Sequence, residues 1–115
     1  MKTGSEVWRY DPNLDATTST WEGYEVEARD GSIGKIDEMN TETGRGCVVV
    51  DTGPWIFGKK RMIPAACVTS VDHGKHKVHV SLTKEQIKDA PDYDAALSTD
   101  TAWYDDQERY YGTWL

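Results

Sequence analysis

Between residues 24 and 82 the chain breaks into short runs rich in Val and Ile, each closed by a turn pair or a proline: Asp30-Gly31, Thr43-Gly44-Arg45-Gly46, Gly53-Pro54, Pro64 and Asp72-His73-Gly74-Lys75. Turn signals spaced this closely leave no room for helices between the strands. That favours a small barrel or sandwich over an α/β architecture.

Residue patterning supplies the individual strands. Tyr24, Val26 and Ala28 alternate with Glu25, Glu27 and Arg29, as in a strand with one buried face. Ile33, Ile36 and Met39 stand three apart, which breaks the alternation and predicts a bulge at Gly34 or Lys35 that bends the sheet toward closure. Cys47-Val48-Val49-Val50 is continuously apolar, which fits a central strand covered on both faces. Trp55-Ile56-Phe57 begins a further strand, resumed at 61–63 after Gly58-Lys59-Lys60. Residues 67–71 and 77–82 form a hairpin with Val78, Val80 and Leu82 inward. The expectation is six or seven short antiparallel strands.

After the strands, Thr83-Lys84-Glu85-Gln86 has the form of a capping box, predicting one short helix over 84–90 that stops at Pro91. Trp103, Tyr110, Tyr111 and Trp114 lie in an acidic C-terminal stretch and would share one side of a helix over 102–111. Residues 1–22 hold Trp8, Tyr10 and Trp21 without a sustained period and read as an extended arm. The domain organisation expected is therefore an arm over 1–22, a barrel over 23–94 and an acidic aromatic tail over 95–115.

Composition narrows the class. A chain of 115 residues has room for one domain with a modest core. Its longest apolar run, residues 47–50, is far short of the roughly 20 residues of a membrane-spanning helix, and the start lacks a basic-then-apolar export pattern. A cytoplasmic location is expected, with Cys47 and Cys67 as reduced, buried thiols. The net charge of −7 is segregated: residues 59–88 carry seven Lys/Arg against Asp72 and Glu85, while both flanks are acidic.

The order of these pieces resembles the PRC-barrel family, found in the H subunit of purple bacterial photosynthetic reaction centres and at the C-terminus of a ribosome maturation factor. The resemblance lies in Gly23 with Val26, the run Asp30-Gly31-Ser32-Ile33-Gly34-Lys35-Ile36, Val48-Val49-Val50-Asp51, Met62-Ile63-Pro64, Asp72, and Leu82-Thr83-Lys84-Glu85-Gln86-Ile87 followed by Ala90-Pro91. It spans residues 23–94. Small free-standing members share Gly53-Pro54-Trp55-Ile56-Phe57-Gly58 and the Tyr110-Tyr111-Gly112 of the tail. The resemblance implies a small PRC-type β-barrel that docks other macromolecules. The membrane anchor and electron transfer of the reaction-centre subunit, and the RNA-processing work of the maturation factor, are not implied for this chain.

No motif commits the chain to catalysis. Asp11, Asn13, Asp15, Ser19 and Glu22 fall on the oxygen-ligand positions of a calcium loop, but Ala16 stands where that loop needs Gly and neither flank reads as a helix. His73, His76 and His79 lack a partnered Cys or carboxylate, and a strand would put His76 and His79 on opposite faces. Gly44-Arg45-Gly46 precedes a strand instead of opening a helix, so it fails as a dinucleotide loop. No Gly-x-Ser-x-Gly elbow is present. The expectation is a non-enzyme with no cofactor and no metal.

The excess that remains is aromatic: five Trp and six Tyr, with Trp8, Trp21, Trp103 and Trp114 outside the barrel pattern. Such rings either clamp the arms onto the barrel or anchor a partner, typically a second copy in a symmetric dimer. The expected interaction surface comprises Trp8, Trp21, Trp55, Phe57, Lys59, Lys60, Arg61, Trp103, Tyr110, Tyr111 and Trp114. It would serve a self-associating, protein-binding module. The alternative is an RNA- or ribosome-associated role for the basic 59–77 face, with Lys75 and Lys77 beside Lys59-Lys60-Arg61.

Overall fold

The structure is a computed structural model that describes residues 7–11, 14, 20–41, 46–53, 60–90 and 101–113, with side chains from 105 onward in the last segment. Among the described residues six strands form one sheet: β1 (Glu25–Ala28), β2 (Gly31–Asn40), β3 (Cys47–Asp51), β4 (Lys60–Pro64), β5 (Val68–Asp72) and β6 (Lys77–Val80). Two helices follow, α1 (Lys84–Lys88) and α2 (Thr101–Gly112). The expected strand through Trp55-Ile56-Phe57 lies outside the described residues.

The strand order is β4-β3-β2-β1-β6-β5. All neighbours are antiparallel except β1 and β6, which run parallel with Val26 opposite Val78. This corrects the all-antiparallel expectation. Alternation in the sequence reports which face a residue occupies, not which way its neighbour strand runs.

The sheet curls but does not close into a barrel, since β4 and β5 end the strand order and are not paired with each other. In a flat sheet, six strands ~4.8 Å apart would hold the two edges ~24 Å from each other. The chain passes from Pro64 to Val68 through the single 3-10 turn Ala65–Cys67, and four Cα steps reach at most ~15 Å. The edges must therefore approach. The pairings also make β4 and β5 run in the same sense, so this turn is a corner that carries the chain from one edge to the other.

Bulges supply part of the curvature. Val26 pairs with Gly34 and Glu27 with Ser32, which leaves Ile33 as the extra residue of β2. Ile36 pairs with Val50 and Glu38 with Val49, which leaves Asp37 extra. The bulges thus flank the predicted Gly34 and Lys35 instead of falling on them. Between them Gly34 has φ +143, and a Cβ there would lie 2.1 Å from the Asp51 carbonyl oxygen. Only glycine permits so close an approach of β2 to the end of β3.

The concave face is one apolar core: Val26, Ile33, Ile36, Val48, Val50, Ile63, Val68, Val78, Val80 and Leu82, closed by Trp21, Ile87, Ala90 and Tyr111. A second, smaller cluster joins Val7 and Trp8 to Cys47 and Met62 on adjacent strands β3 and β4. This cluster covers Cys47 on the face opposite Val48 and Val50, and all of residues 47–50 are buried, as the apolar run predicts.

Helix α1 forms as expected. The Thr83 hydroxyl accepts from the Gln86 N–H at 3.2 Å, and the Gln86 side chain accepts from the Thr83 N–H at 2.8 Å. The Asp30 carboxylate accepts from the Lys84 N–H at 2.8 Å, tying the β1–β2 turn to the helix start. At the other end the Gln86 carbonyl accepts from the Tyr110 hydroxyl, and the Ile87 and Lys88 carbonyls accept from Arg61. The C-terminal stretch is helical over Thr101–Gly112, in line with the helix expected over 102–111.

Candidate interaction surface

Four residues assigned to an exposed surface are inside the molecule. Trp21 and Tyr111 are fully buried in the main core, and Trp8 and Arg61 are each 4% exposed. Trp21 packs edge-on against Tyr10, with ring centroids 5.3 Å apart. The Trp21 Nε1 and the Tyr111 hydroxyl have no hydrogen-bond partner among the described residues, so these rings are held by their apolar area. Trp8 donates its indole N–H to Glu108 of α2 at 3.0 Å. The aromatic side chains of residues 8, 21 and 111 therefore clamp both flanks onto the sheet, the first of the two roles expected for the flanking rings, and they are buried where an exposed surface would need them free.

Arg61 is corrected in the same way. Its Nε donates to the Ile87 carbonyl at 3.1 Å and its Nη2 to the Lys88 carbonyl at 2.9 Å. A buried guanidinium needs such partners, because an unpaired buried charge is costly. Its alternation partner Lys60 faces outward and pairs with Asp37 at 2.6 Å. The hydrogen bond to Asp37, and the charge behind it, raise the Lys60 pKa.

Lys77 is matched too. The parallel register sets Glu25 opposite Lys77 and Glu27 opposite His79, and the Lys77 ammonium lies 3.3 Å from Glu27 and 3.6 Å from Glu25. Hydrogen bonding to the Glu25 side chain, and then to Lys77, holds the Glu27 carboxyl below its usual range. The surface around β1 and β6 is thus charge-compensated, which removes much of the positive potential that a phosphate backbone would require.

The remaining residues divide by position. Tyr110 is half-buried, stacked edge-on with Tyr111 at 5.2 Å and bonded to the Gln86 carbonyl. Trp55, Phe57, Lys59 and Trp114 lie outside the described residues, and Trp103 lies on α2 with its side chain outside them. Of the calcium-loop positions, Asn13, Asp15 and Ser19 lie outside them as well. No group of three or more His, Cys, Asp or Glu residues among the described ones is placed to hold a metal ion. No helix among them is long and apolar enough to cross a membrane.

Two features escaped the sequence. Tyr24 gathers the histidines of the β5–β6 turn: its hydroxyl lies 3.0 Å from His73 Nδ1, and its ring lies 5.0 Å from that of His76. His76 sits in that turn with φ +54, not in the strand. No spacing signals this, because Tyr24 is about 50 residues away and arrives only through the parallel β1–β6 pair.

The second feature is the contrast between the sheet edges. β4 is covered, with residues 61–64 buried, whereas β5 exposes Thr69 and Ser70 and leaves Val71 and Asp72 half-buried. The β5 backbone pairs with β6 on one side, and it ends the strand order on the other. An extra residue at Thr69 confines its unbroken register to residues 70–72.

No protein-family model matches the chain, and no curated protein matches it.

Proposed function

We propose that this protein is a non-catalytic assembly module of the PRC-barrel kind that associates with a second copy of itself through the β5 edge. The observation that carries this reading is the asymmetry of the two edges. β4 is buried, while β5 presents uncharged Thr69 and Ser70 and, among the described residues, a backbone edge with no strand beside it. An open edge is a template for another strand, and most edges are blunted by lysine, proline or coverage. Antiparallel pairing about a two-fold axis at Ser70 sets Thr69 against Val71 and Val68 against Asp72, with no like charges opposed.

The PRC-barrel part of the reading draws on the quoted motifs and on the curled sheet, whose corner at Ala65–Cys67 and bulges at Ile33 and Asp37 are the devices of a small barrel. The nucleic-acid alternative loses two of its cations to carboxylates and a third to the interior.

The test is sedimentation equilibrium of the full chain and of the Thr69→Lys/Ser70→Lys variant. Both positions are exposed, so the fold should tolerate the change. A concentration-dependent dimer that the double variant abolishes is expected. A wild-type monomer at every concentration overturns the proposal.

A further inference from the structure

Residues 7–10 are held the way a domain holds a peptide ligand. The Ala66 N–H donates to the Val7 carbonyl and the Gly46 N–H to the Trp8 carbonyl, each at 3.0 Å. Main-chain bonds of this kind give affinity in strand-addition complexes, while pockets for side chains give selectivity. Here Val7 and Trp8 fill the cluster with Cys47 and Met62, and the Trp8 indole bonds Glu108. The Tyr10 hydroxyl reaches the Asn40 and Cys47 carbonyls at 2.8 and 2.7 Å. Gly46 completes the shape, since a Cβ there would lie 2.6 Å from the Trp8 carbonyl oxygen.

We infer that the outer face of β3 and β4, with Gly46, Ala66 and Glu108 at its rim, is a peptide-docking site filled in cis by residues 7–10, and that in trans it takes the same residues of a second copy. For its partner the inference rests on the assembly reading above. The second copy is the occupant because its Val7-Trp8-Arg9-Tyr10 meets every donor, acceptor and apolar surface already engaged in cis. Reciprocal exchange between two chains is closed and symmetric, and it creates no contact that the monomer lacks. The cis segment competes at an effective concentration on the order of millimolar, typical of a short tether. Exchange therefore requires high protein concentration or a loosened cis contact.

The test uses the full chain and a fluorescein-labelled peptide of residues 5–12. The Trp8→Ala variant, whose own segment has lost its main anchor, should bind the peptide at least tenfold more tightly than wild type; Val7→Ala serves in its place if Trp8→Ala fails to fold. The peptide carrying Trp8→Ala should not bind. Failure of the peptide to bind either variant overturns the docking site while leaving assembly through β5 standing. A chain that stays monomeric at every concentration overturns exchange and β5 pairing together.

Discussion

The Arg61 guanidinium on β4 closes the end of α1 by donating from Nε to the Ile87 carbonyl at 3.1 Å, and from Nη2 to the neighbouring Lys88 carbonyl at 2.9 Å. Carbonyls in the last turn of a helix have no partner within it. A helix of five residues has little cooperativity of its own. This contact, with the Tyr110 hydroxyl on the Gln86 carbonyl, is what docks α1 to the sheet and to α2.

Replacing Arg61 should therefore be costly although it sits in a Lys-rich stretch. Arg61→Ala removes a buried side chain together with its bonds to the Ile87 and Lys88 carbonyls and opens a cavity, for an expected loss of about 3 kcal/mol. Arg61→Lys should lose somewhat less, since an ammonium cannot reproduce the planar fork. Urea unfolding checks both, and Lys60→Ala, which removes only an exposed pair, should leave the unfolding midpoint nearly unchanged.

Gly34 and Gly53 both have positive φ, yet they should respond differently to alanine. At Gly34 the new Cβ would meet the Asp51 carbonyl oxygen at 2.1 Å, whereas at Gly53, with φ +57, nothing among the described residues lies within 4 Å. Gly53→Ala should cost about 1 kcal/mol, from backbone strain alone. Gly34→Ala should cost at least about 3 kcal/mol, because β2 and β3 must separate. Thermal unfolding of the two variants would separate strain from collision.

The capping box offers a smaller and cleaner measurement. Thr83→Ala removes the acceptor for the Gln86 N–H and should destabilise the protein by about 1 kcal/mol. Thr83→Ser should restore most of that loss. Denaturant titration of the three proteins decides it.

Alkaline pH should unfold the protein through three buried acids. Burial pushes the Cys47 thiol up to about 12 from 9.0, and it raises the Tyr10 and Tyr111 hydroxyls above their usual 10.0. Above the ordinary values the unfolded chain gives up these protons while the folded chain keeps them. The unfolded state is then favoured as pH rises. Stability should be level in this respect below pH 9 and fall from there upward, with the tyrosine contribution setting in past 10. Absorbance at the tyrosinate band should rise for Tyr10 and Tyr111 only together with loss of far-ultraviolet circular dichroism.

Where local pattern carries the information, expectation and structure coincide. The alternation at 24–28, the hairpin of β5 and β6, the two-sided burial of 47–50 and the capping box are all set by neighbours a few residues apart. The three-residue spacing of Ile33 and Ile36 shows that β2 holds an extra residue, but register against β1 and β3 decides that the extra residues are Ile33 and Asp37. The interaction surface was less legible. In the sequence Lys59-Lys60-Arg61 is one basic run, yet the pleat turns Lys60 out to Asp37 and Arg61 in to the α1 carbonyls.

Sequence alone determined that this chain makes short strands, where its principal turns fall and how α1 begins, because each follows from side-chain periodicity and turn chemistry within a few residues. The tertiary structure alone decided that β1 lies parallel to β6, that Trp8, Trp21 and Tyr111 are clamps instead of free rings, and that β5 ends the order of the described strands. These depend on which distant segments meet. That outcome is settled by burial of one shared apolar face over the whole chain, and no local pattern encodes it.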